Sequence, residues 1–275
     1  MDRSDVWRIV TLNIWNRQGP WAERLPLIVE GLRALDADAI SLQEVLAFNG
    51  ETQAHELGRA LGMNVHFAPA WEVGGGLSFG NAILSPHALS DRRAIALPTP
   101  AGLDPKGAAF ARVECPHGPM PFFAVHLTFQ LHLGHVRCAQ VRALADHVAE
   151  LAPIDGPPPV LAGDFNADPD SDEMRFLRGL TPLGGDAVYF ADAWSATGCE
   201  GPGYTYDRRN PYANRSREPS RRIDYVYVRG PDAHLRGEPL TAQVVMDQPT
   251  GGVFASDHFG VAASVWASKR PHDPW

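Results

Sequence analysis

The feature that most constrains the fold is an apolar stretch that runs directly into a glycine and two oxygen-bearing side chains. Residues 160–166 read Val-Leu-Ala-Gly-Asp-Phe-Asn. If residues 160–162 form a buried strand, Asp164 and Asn166 follow its C-terminal end and point to the same side. A carboxylate beside a carboxamide suits metal-assisted attack on an anionic ester. Glycine, aspartate and asparagine are also common turn residues, so the stretch alone leaves a simple turn open.

Several other segments place polar side chains next to apolar runs that are typical of strands. They are Asn13 after residues 8–12, Glu44 after 39–43, His126 after 122–125, and Asp257 and His258 before 259–262. Asp224 lies inside a further run, residues 222–228. A buried acid in a strand is costly unless it is hydrogen-bonded or near a cation. Because loops on rigid strands usually carry chemistry, these side chains predict one functional site at the strand ends.

The remaining pattern predicts alternating strands and helices. Apolar residues at helical spacing predict helices over residues 25–35 and 138–151, with shorter helices near 53–61 and 171–180. Strands are expected at residues 7–12, 39–43, 64–68, 80–84, 108–114, 121–126, 159–163, 222–228, 240–246 and 259–266. Many strands with interspersed helices favour two sheets flanked by helices.

Taken in order, the polar segments resemble the motifs of the endonuclease/exonuclease/phosphatase superfamily of metal-dependent phosphoesterases. The matching pieces are residues 11–13, 42–45, 80–85, 125–127, 163–166, 222–225 and 256–258. They extend over nearly the whole chain, and no catalytic position is missing. The resemblance implies an α/β fold, namely a four-layer α/β/β/α sandwich with two mainly antiparallel sheets flanked by helices. It indicates the superfamily but not the substrate.

The resemblance also implies which residues bind a metal ion. Glu44 matches the main metal ligand of the superfamily, and Asn13 and Asp257 are the further candidate ligands. Hard oxygen ligands of this kind favour Mg²⁺, with Mn²⁺ as a substitute, over Zn²⁺.

Four other matching residues are implied to act on the phosphate and the attacking water. Asp224 would orient His258, because an acid that accepts one ring N–H fixes the tautomer of an imidazole. Asp164 and Asn166 would position or activate the water and hold the phosphate. The sequence leaves open whether His258 or Asp164 removes the proton.

His126 narrows the subgroup, since apurinic endonucleases have a tyrosine at the matching position. A histidine there resembles deoxyribonucleases, sphingomyelinases and the phosphoinositide and deadenylase branches. It implies that His126 contacts the phosphate or donates a proton to the leaving oxygen. Asn81, in the matching strand, is a candidate hydrogen-bond partner of His126 and a candidate substrate contact.

The segment that is least like the superfamily is rich in arginine and tyrosine. Arginine pairs with phosphate through two hydrogen bonds and tyrosine stacks on rings, so Arg215, Arg217 and Arg221 are candidate substrate contacts. A solvated loop is the competing interpretation. Elsewhere, Trp71 followed by three glycines at 74–76 predicts an aromatic-bearing loop that either packs on the protein or covers the substrate.

Composition is consistent with one enzyme domain over residues 1–275. No stretch approaches the roughly 18 consecutive apolar residues of a membrane-spanning helix. The N-terminus lacks the basic and apolar regions of a signal peptide, so a cytoplasmic protein is expected if Met1 is the natural start.

These patterns predict divalent-metal-dependent hydrolysis of a small or lipid-like phosphate ester by an activated water, with a phosphodiester favoured over a monoester. A nuclease acting on DNA or RNA is an alternative. The net charge of −8 argues against it, because binding DNA independently of sequence usually needs a broad basic surface, although a local patch can suffice. A catalytically silent binding protein on the same scaffold is a second alternative, which the filled catalytic positions disfavour. The oligomeric state is left open.

Overall fold

The computed structural model describes residues 5–232 and 234–268. Its strands are β1 (Val6–Asn13), β2 (Ala39–Phe48), β3 (Glu51–Thr52), β4 (Asn64–Gly74), β5 (Leu77–Ser85), β6 (Leu89–Leu97), β7 (Lys106–Cys115), β8 (Gly118–His126), β9 (Val160–Asp164), β10 (Ala191–Asp192), β11 (Asp224–Val228), β12 (Pro239–Val245) and β13 (Gly260–Trp266). Its helices are α1 (Trp21–Leu35), α2 (Gln53–Leu61), α3 (Gly134–Leu151), α4 (Asp172–Leu177) and α5 (Ala193–Ala196), with a short 3-10 helix at Ala213–Ser216. None of the helices in these ranges is long and apolar enough to cross a membrane.

The strands form two sheets. In the first sheet the order is β12-β13-β1-β2-β5-β4, with β3 paired to β2. Strands β1 and β2 run parallel, and the other neighbours in this sheet run antiparallel. The second sheet has the order β10-β11-β9-β8-β7-β6, and β8 and β9 are its parallel pair. Both sheets are therefore mainly antiparallel.

Each sheet has one face against the other sheet and one face against helices, which follows from the two-residue period of a strand. On β1, Ile9 lies in the apolar layer between the sheets, whereas Val10 packs with α1 and α2. On β8, Phe122 lies between the sheets and Phe123 packs with α3 and α4. Fully burying one such side chain contributes roughly 1.5–3 kcal/mol. The four-layer α/β/β/α sandwich is confirmed.

The helices α1 and α3 begin earlier than the apolar pattern predicted, at Trp21 and Gly134 rather than at residues 25 and 138. Their first turns bury arginines, Arg24 and Arg137, which an apolar pattern does not count. The prediction also missed β6. Most of this strand is exposed, it lies at the edge of its sheet, and a register shift between Ser90 and Arg93 interrupts its pairing with β7.

The predicted loop around Trp71 is wrong. Strand β4 continues through Trp71 to Gly74, and Trp71 pairs with Phe79 of β5. The glycines at 74–76 have positive φ angles of 100°, 61° and 78°; the first ends β4 and the other two form the turn to β5. Glycine adopts such angles without the steric cost that other residues meet, so the three glycines mark a hairpin turn instead.

Candidate active site

The residues predicted to act on the phosphate come together at one end of the two sheets. Asp164, at the end of β9, is opposite Asp224 of β11 and beside His126 of β8. Across the two sheets, the amide nitrogen Nδ2 of Asn13, at the end of β1, donates to Asp164 Oδ2 at 3.0 Å. Asp164 therefore lies where β8, β9 and β11 of the second sheet come close to β1 of the first sheet.

The side chain of Glu44 is directed toward Asp164 because strand β2 is irregular at residue 44. The register between β2 and β5 shifts between Leu42 and Val45, and Glu44 has a φ of 56°. A bulge of this kind turns a side chain out of the regular alternation, and positive φ costs a non-glycine residue on the order of 1 kcal/mol or more. The Nδ2 atoms of Asn13 and Asn16 donate to the two carboxylate oxygens of Glu44 at 3.1 and 3.2 Å.

Asn13 acts through its amide N–H groups in this arrangement. Its Nδ2 donates to both Glu44 and Asp164, while its Oδ1 accepts the backbone N–H of Trp15 at 3.0 Å. Asn13 therefore holds the two carboxylates in place, and its direct ligation of a metal ion stays a prediction.

His258 and Asp224 form a buried pair. The Nδ1 atom of His258 lies 2.9 Å from Asp224 Oδ2, which leaves Nε2 facing Asp164 Oδ2 at 3.9 Å. The ring of Tyr206 lies against the imidazole, with ring centroids 5.0 Å apart. Burial by itself lowers the pKa of His258, but the charges of Asp224 and Asp164 outweigh it and hold the pKa well above its ordinary value. The geometry thus favours an imidazolium at position 258.

His126 has the opposite electrostatic environment. Its Nε2 is 3.6 Å from Asp164 Oδ2, yet burial, and then the positive charges of Lys106 and His258, lower its pKa well below the ordinary value. A neutral imidazole donates one hydrogen bond and carries no spare proton for a leaving group. The phosphate contact is therefore the better fit of the two roles that the sequence implied for His126.

Asn166 orients Asp164 and closes the end of β9. Its backbone N–H donates to Asp164 Oδ1 at 2.9 Å, and its Nδ2 donates to the carbonyl of Leu127 at 3.1 Å. A φ of 52° lets residue 166 turn back in this way, and asparagine tolerates that region better than most residues do.

Asn81 does not form the predicted hydrogen bond to His126 in the part of the chain that the structure describes. Its Nδ2 donates instead to the carbonyl of Gly107 at 2.7 Å, and Gly107 pairs with His126 between β7 and β8. Its Oδ1 is buried and has no hydrogen-bond partner among the described residues. Asn81 is among the residues that line the cleft.

The three arginines that were candidate substrate contacts do not line the cleft. Arg215 and Arg217 are exposed. Arg221 is buried and pairs with Asp168 at 2.8 Å and Glu218 at 3.2 Å. Its remaining donor reaches the carbonyl of Asn166. Arg221 is thus placed to hold the Asn166 turn, and none of the three contacts the space beside Asp164.

Lys106 brings a further positive charge to the cleft, and the sequence analysis missed it. It begins β7 two residues before the predicted strand and lines the cleft with Asp164 and His126. Burial lowers the pKa of Lys106, and the negative charges of Glu44 and Asp164 oppose that shift. The available signal was a lysine and a glycine directly ahead of an apolar strand.

Arg24 was also missed, and it joins the two loops that carry candidate metal ligands. Its guanidinium donates to the carbonyl of Ile14 and that of Ala255, both at 2.9 Å, and to three more carbonyls in residues 15–18. It lies between the rings of Trp15 and Trp21, 5.0 and 5.2 Å from their centroids. Burial lowers the pKa of Arg24 to about 10.

The acids at the cleft make a site that suits a cation. Burial, reinforced by neighbouring acids, raises the pKa of Asp164 and that of Asp257 to about 7. Ser256 Oγ donates to Asp257 Oδ1 at 3.2 Å and to the carbonyl of Asn13 at 2.6 Å. A divalent cation would relieve the repulsion among these carboxylates, and oxygen donors of this type suit Mg²⁺ or Mn²⁺. Asp257 and Glu44, which both line the cleft, therefore fit the predicted ion.

Another group of ligand atoms lies nearby. One atom from each of Asp164, Asp224 and His258 falls within 4.8 Å of the others. His258 and Asp224 already bond to each other in this group. Because of that bond, Glu44 and Asp257 stay the candidate ligands of the predicted cation.

All of these groups border one cleft of about 320 Å³. Its polar lining includes Glu44, Asp164, Asp257 and the two histidines. Its apolar lining includes Ala70, Trp71, Phe79 and Phe129. This arrangement can bind a charged phosphate beside an uncharged group and bring a water molecule to the phosphorus.

Comparison with known proteins agrees with this geometry. The sequence model of the Endonuclease/Exonuclease/phosphatase family matches residues 10–258. No curated protein matches the chain. The endonuclease/exonuclease/phosphatase from Beutenbergia cavernae DSM 12333 is 23% identical with a TM-score of 0.73, over 98% of this chain and 73% of that one.

Two further solved structures are similar. The human Nocturnin catalytic domain with bound sulfate anion is 21% identical with a TM-score of 0.72, over 96% of each chain. D. rerio TDP2 complexed with a single-strand DNA product is 20% identical with a TM-score of 0.74, over 94% of this chain and 98% of that chain. Likeness at these identities establishes the fold, and the match over residues 10–258 establishes the membership. Proteins of this kind are hydrolases that act on phosphate esters, and this chain belongs to the endonuclease/exonuclease/phosphatase family.

Proposed function

We propose that this protein hydrolyses a small or lipid-like phosphate ester with a divalent metal ion, and that a phosphodiester is preferred to a monoester. The observation that carries the proposal is the convergence of Glu44 and Asp257 with the Asp164–His258 pair on one cleft. A phosphodiester resists attack because its charge repels nucleophiles, so a catalyst must neutralise that charge and take a proton from water.

Glu44 and Asp257 would hold the ion, which is Mg²⁺ with Mn²⁺ as a substitute. When bound, the ion supplies positive charge to the phosphate oxygens. Asn13 and Asn16 contribute by holding the Glu44 carboxylate through one hydrogen bond to each oxygen. The predicted ligation by Asn13 would use the second lone pair of its Oδ1, since the first accepts the N–H of Trp15.

Asp164 is the group that we propose takes the proton from the attacking water. Its Oδ2 lies between His126 and His258, at 3.6 and 3.9 Å from their Nε2 atoms. The Asn166 N–H fixes the other oxygen, Oδ1, at 2.9 Å, so that Oδ2 faces the cleft. His258, paired with Asp224, is better suited to donate a hydrogen bond to the phosphate than to accept a proton.

Two groups would complete the phosphate site. The neutral His126 donates a hydrogen bond, and Lys106 supplies the positive charge that the sequence analysis assigned to the arginines. This choice favours a small ester, because a single lysine contacts one phosphate rather than a long polyanion.

The test is a panel of bis-p-nitrophenyl phosphate, p-nitrophenyl phosphate, plasmid DNA, RNA, sphingomyelin and phosphoinositides, each with Mg²⁺, Mn²⁺ or a chelator. We expect turnover with Mg²⁺ and Mn²⁺ and none with the chelator. Glu44→Gln should lose on the order of a thousandfold in turnover, because an amide does not offset the charge of the ion. Glu30→Gln, an exposed acid of α1, is the matched control and should retain full activity. Full activity of the chelator-treated protein would contradict the proposal.

A nuclease acting on DNA or RNA is the second candidate. The observation in its favour is the exposed Arg215, whose guanidinium lies 5.9 Å from the centroid of the Tyr212 ring and makes a local basic and aromatic surface. Among the similar structures, D. rerio TDP2 is complexed with single-strand DNA. Nicking of plasmid DNA at physiological salt that is faster than hydrolysis of every small ester would favour this candidate.

A further inference from the structure

The apolar part of the cleft lining includes an aromatic surface, formed by Trp71, Phe79 and Phe129, that solvent reaches. Trp71 and Phe79 stack, with ring centroids 5.7 Å apart and planes inclined by 27°. Both are only partly buried. Phe129 faces the same cleft and is 47% exposed, and the Nζ of Lys106 lies 5.7 Å from its ring centroid. Large aromatic side chains left open to water on the wall of a cleft are suited to covering a ligand.

The strand order fixes where this surface lies relative to the phosphate. In the first sheet, Glu44 is on β2, Phe79 on the neighbouring β5, and Trp71 on β4 beyond it. In the second sheet, β9 carries Asp164, the neighbouring β8 carries His126, and β7 beyond it carries Lys106. Neighbouring strands are about 4.8 Å apart. Phe79 is therefore on a strand about one such spacing from the strand of Glu44, and Trp71 is on a strand about two spacings from it. That span matches a phosphate joined directly to a ring.

The charges beside the aromatic surface favour an uncharged group. Lys106 serves the first phosphate in the proposed function, and its neighbour in the lining, Asp104, is an acid, so little positive charge remains there for a second phosphate. Among the described residues that line the cleft beside the aromatic surface, Asn81 Oδ1 is the one buried acceptor without a hydrogen-bond partner. Rings stack on aromatic side chains face to face or edge to face, whereas a sugar or polyol needs several paired polar groups.

We propose that Trp71, Phe79 and Phe129 form a subsite for a flat aromatic group esterified to the phosphate, so that the substrate class is an aromatic phosphodiester. This inference rests on the proposed function, because it places the phosphate beside Asp164. It goes further by assigning the chemistry of the group attached to the phosphate.

The experiment compares phenylphosphonate with methylphosphonate as inhibitors of the Mg²⁺-loaded enzyme acting on bis-p-nitrophenyl phosphate. The two phosphonates have the same charged head group and cannot be hydrolysed, so any difference in Ki reports on the ring. We expect phenylphosphonate to bind about tenfold more tightly, which is the scale of one aromatic contact. Direct titration of the protein with each phosphonate gives the same ratio independently of turnover.

Variants test whether the aromatic surface causes the ratio between the Ki values of methylphosphonate and phenylphosphonate. Trp71→Ala and Phe79→Ala should each bring the ratio below about threefold, whereas Trp71→Phe should retain most of it. Trp71→Leu and Phe79→Leu, which keep an apolar side chain in the strand, serve if the alanine variants do not fold. Tyr189→Ala removes an aromatic ring that is 58% exposed and outside this cleft, and it should leave the ratio unchanged.

Equal binding of the two phosphonates by an enzyme that hydrolyses phosphate esters would overturn the aromatic subsite alone. Retention of the ratio in both alanine variants would overturn it as well. Absence of hydrolysis of every ester with either ion would instead overturn the proposed function. The two failures are therefore distinguishable.

Discussion

At the scale of single residues, hydrogen bonds decide what each titratable group can do. Asp224 bonds to Nδ1 of His258 and leaves Nε2 facing the cleft. The backbone N–H of Asn166 bonds to one oxygen of Asp164 and leaves the other between the two histidines. The hydrogen bond to Nδ1 thus sets the orientation of the His258 ring, and the bonds from Asn166 and Asn13 set the orientation of the Asp164 carboxylate.

The first prediction is that His258 and Asp224 act as a unit. If the acid holds the imidazole in place, removal of either should cost nearly as much as removal of both. Turnover of bis-p-nitrophenyl phosphate should therefore fall similarly in His258→Ala, Asp224→Ala and the double variant, by on the order of a hundredfold or more. Losses that multiply across the two single variants would mean that the residues work independently.

At the scale of secondary-structure elements, loops from distant parts of the chain hold the site. The end of β1 provides Asn13, the loop after it provides Asn16, and the loop before β13 provides Asp257 and His258. Arg24 of α1 donates to carbonyls in both loops. Backbone carbonyls buried without donors are costly, so this guanidinium keeps the two loops together.

The second prediction concerns Arg24. Arg24→Met keeps an apolar stem in the helix but removes the donors to five carbonyls, and it should destabilise the protein by at least about 3 kcal/mol. Thermal unfolding measures this effect, and titration with Mn²⁺ should show weaker binding because the ligand loops lose their connection. Arg33→Met is the matched control, because Arg33 makes one exposed contact with the carbonyl of Ala60. Equal Tm values for the two variants would contradict this assignment.

At the scale of the whole molecule, closely packed sheets bring several acids into one buried cluster. Burial raises the pKa of Asp164 and of Asp257 to about 7, from an ordinary value of 3.8. Between about pH 4 and 7 the folded protein therefore holds protons that the unfolded chain has lost. Its free energy of unfolding falls as the pH rises through that range.

The two histidines act in opposite directions. His258, with a pKa raised by Asp224 and Asp164 against the effect of burial, favours folding below pH 6.5 and loses that contribution as the pH rises further. His126, with a pKa lowered by burial, favours folding more as the pH rises toward 6.5. Of these four groups, the two acids and His258 lower the free energy of unfolding as the pH rises, and His126 raises it. The net effect is a loss of stability with rising pH.

The third prediction follows from these signs. The Tm of the chelator-treated protein should fall between pH 5 and pH 8, while Mg²⁺ should raise the Tm more at pH 8 than at pH 5. An ion that binds the folded state stabilises it, and it binds more tightly once the carboxylates have lost their protons. Asp257→Asn should flatten the pH dependence of the metal-free protein. A Mg²⁺-induced shift in Tm that is the same at both pH values would contradict the proposed ligands.

The residues that border the cleft around Asp164 could be named from the sequence because each motif is local, and their catalytic roles stay predictions. Asp164, Asn166 and His126 lie at or just after strand ends, and the strands are apolar runs that sequence alone reveals. The family membership and the four-layer fold followed from the order of those motifs. The single-domain expectation for residues 1–275 stays a prediction.

Only the tertiary structure decided which other residues reach the cleft, because proximity across sheets has no local signal. Lys106, Trp71 and Phe79 come from strands whose order in the sheets differs from their order in the chain. Arg221 is the opposite case, a predicted substrate contact that does not line the cleft. It pairs with Asp168 and Glu218 instead. A sequence specifies which atoms can take part in the chemistry, whereas the packing of strands far apart in the chain determines which of them share one cleft.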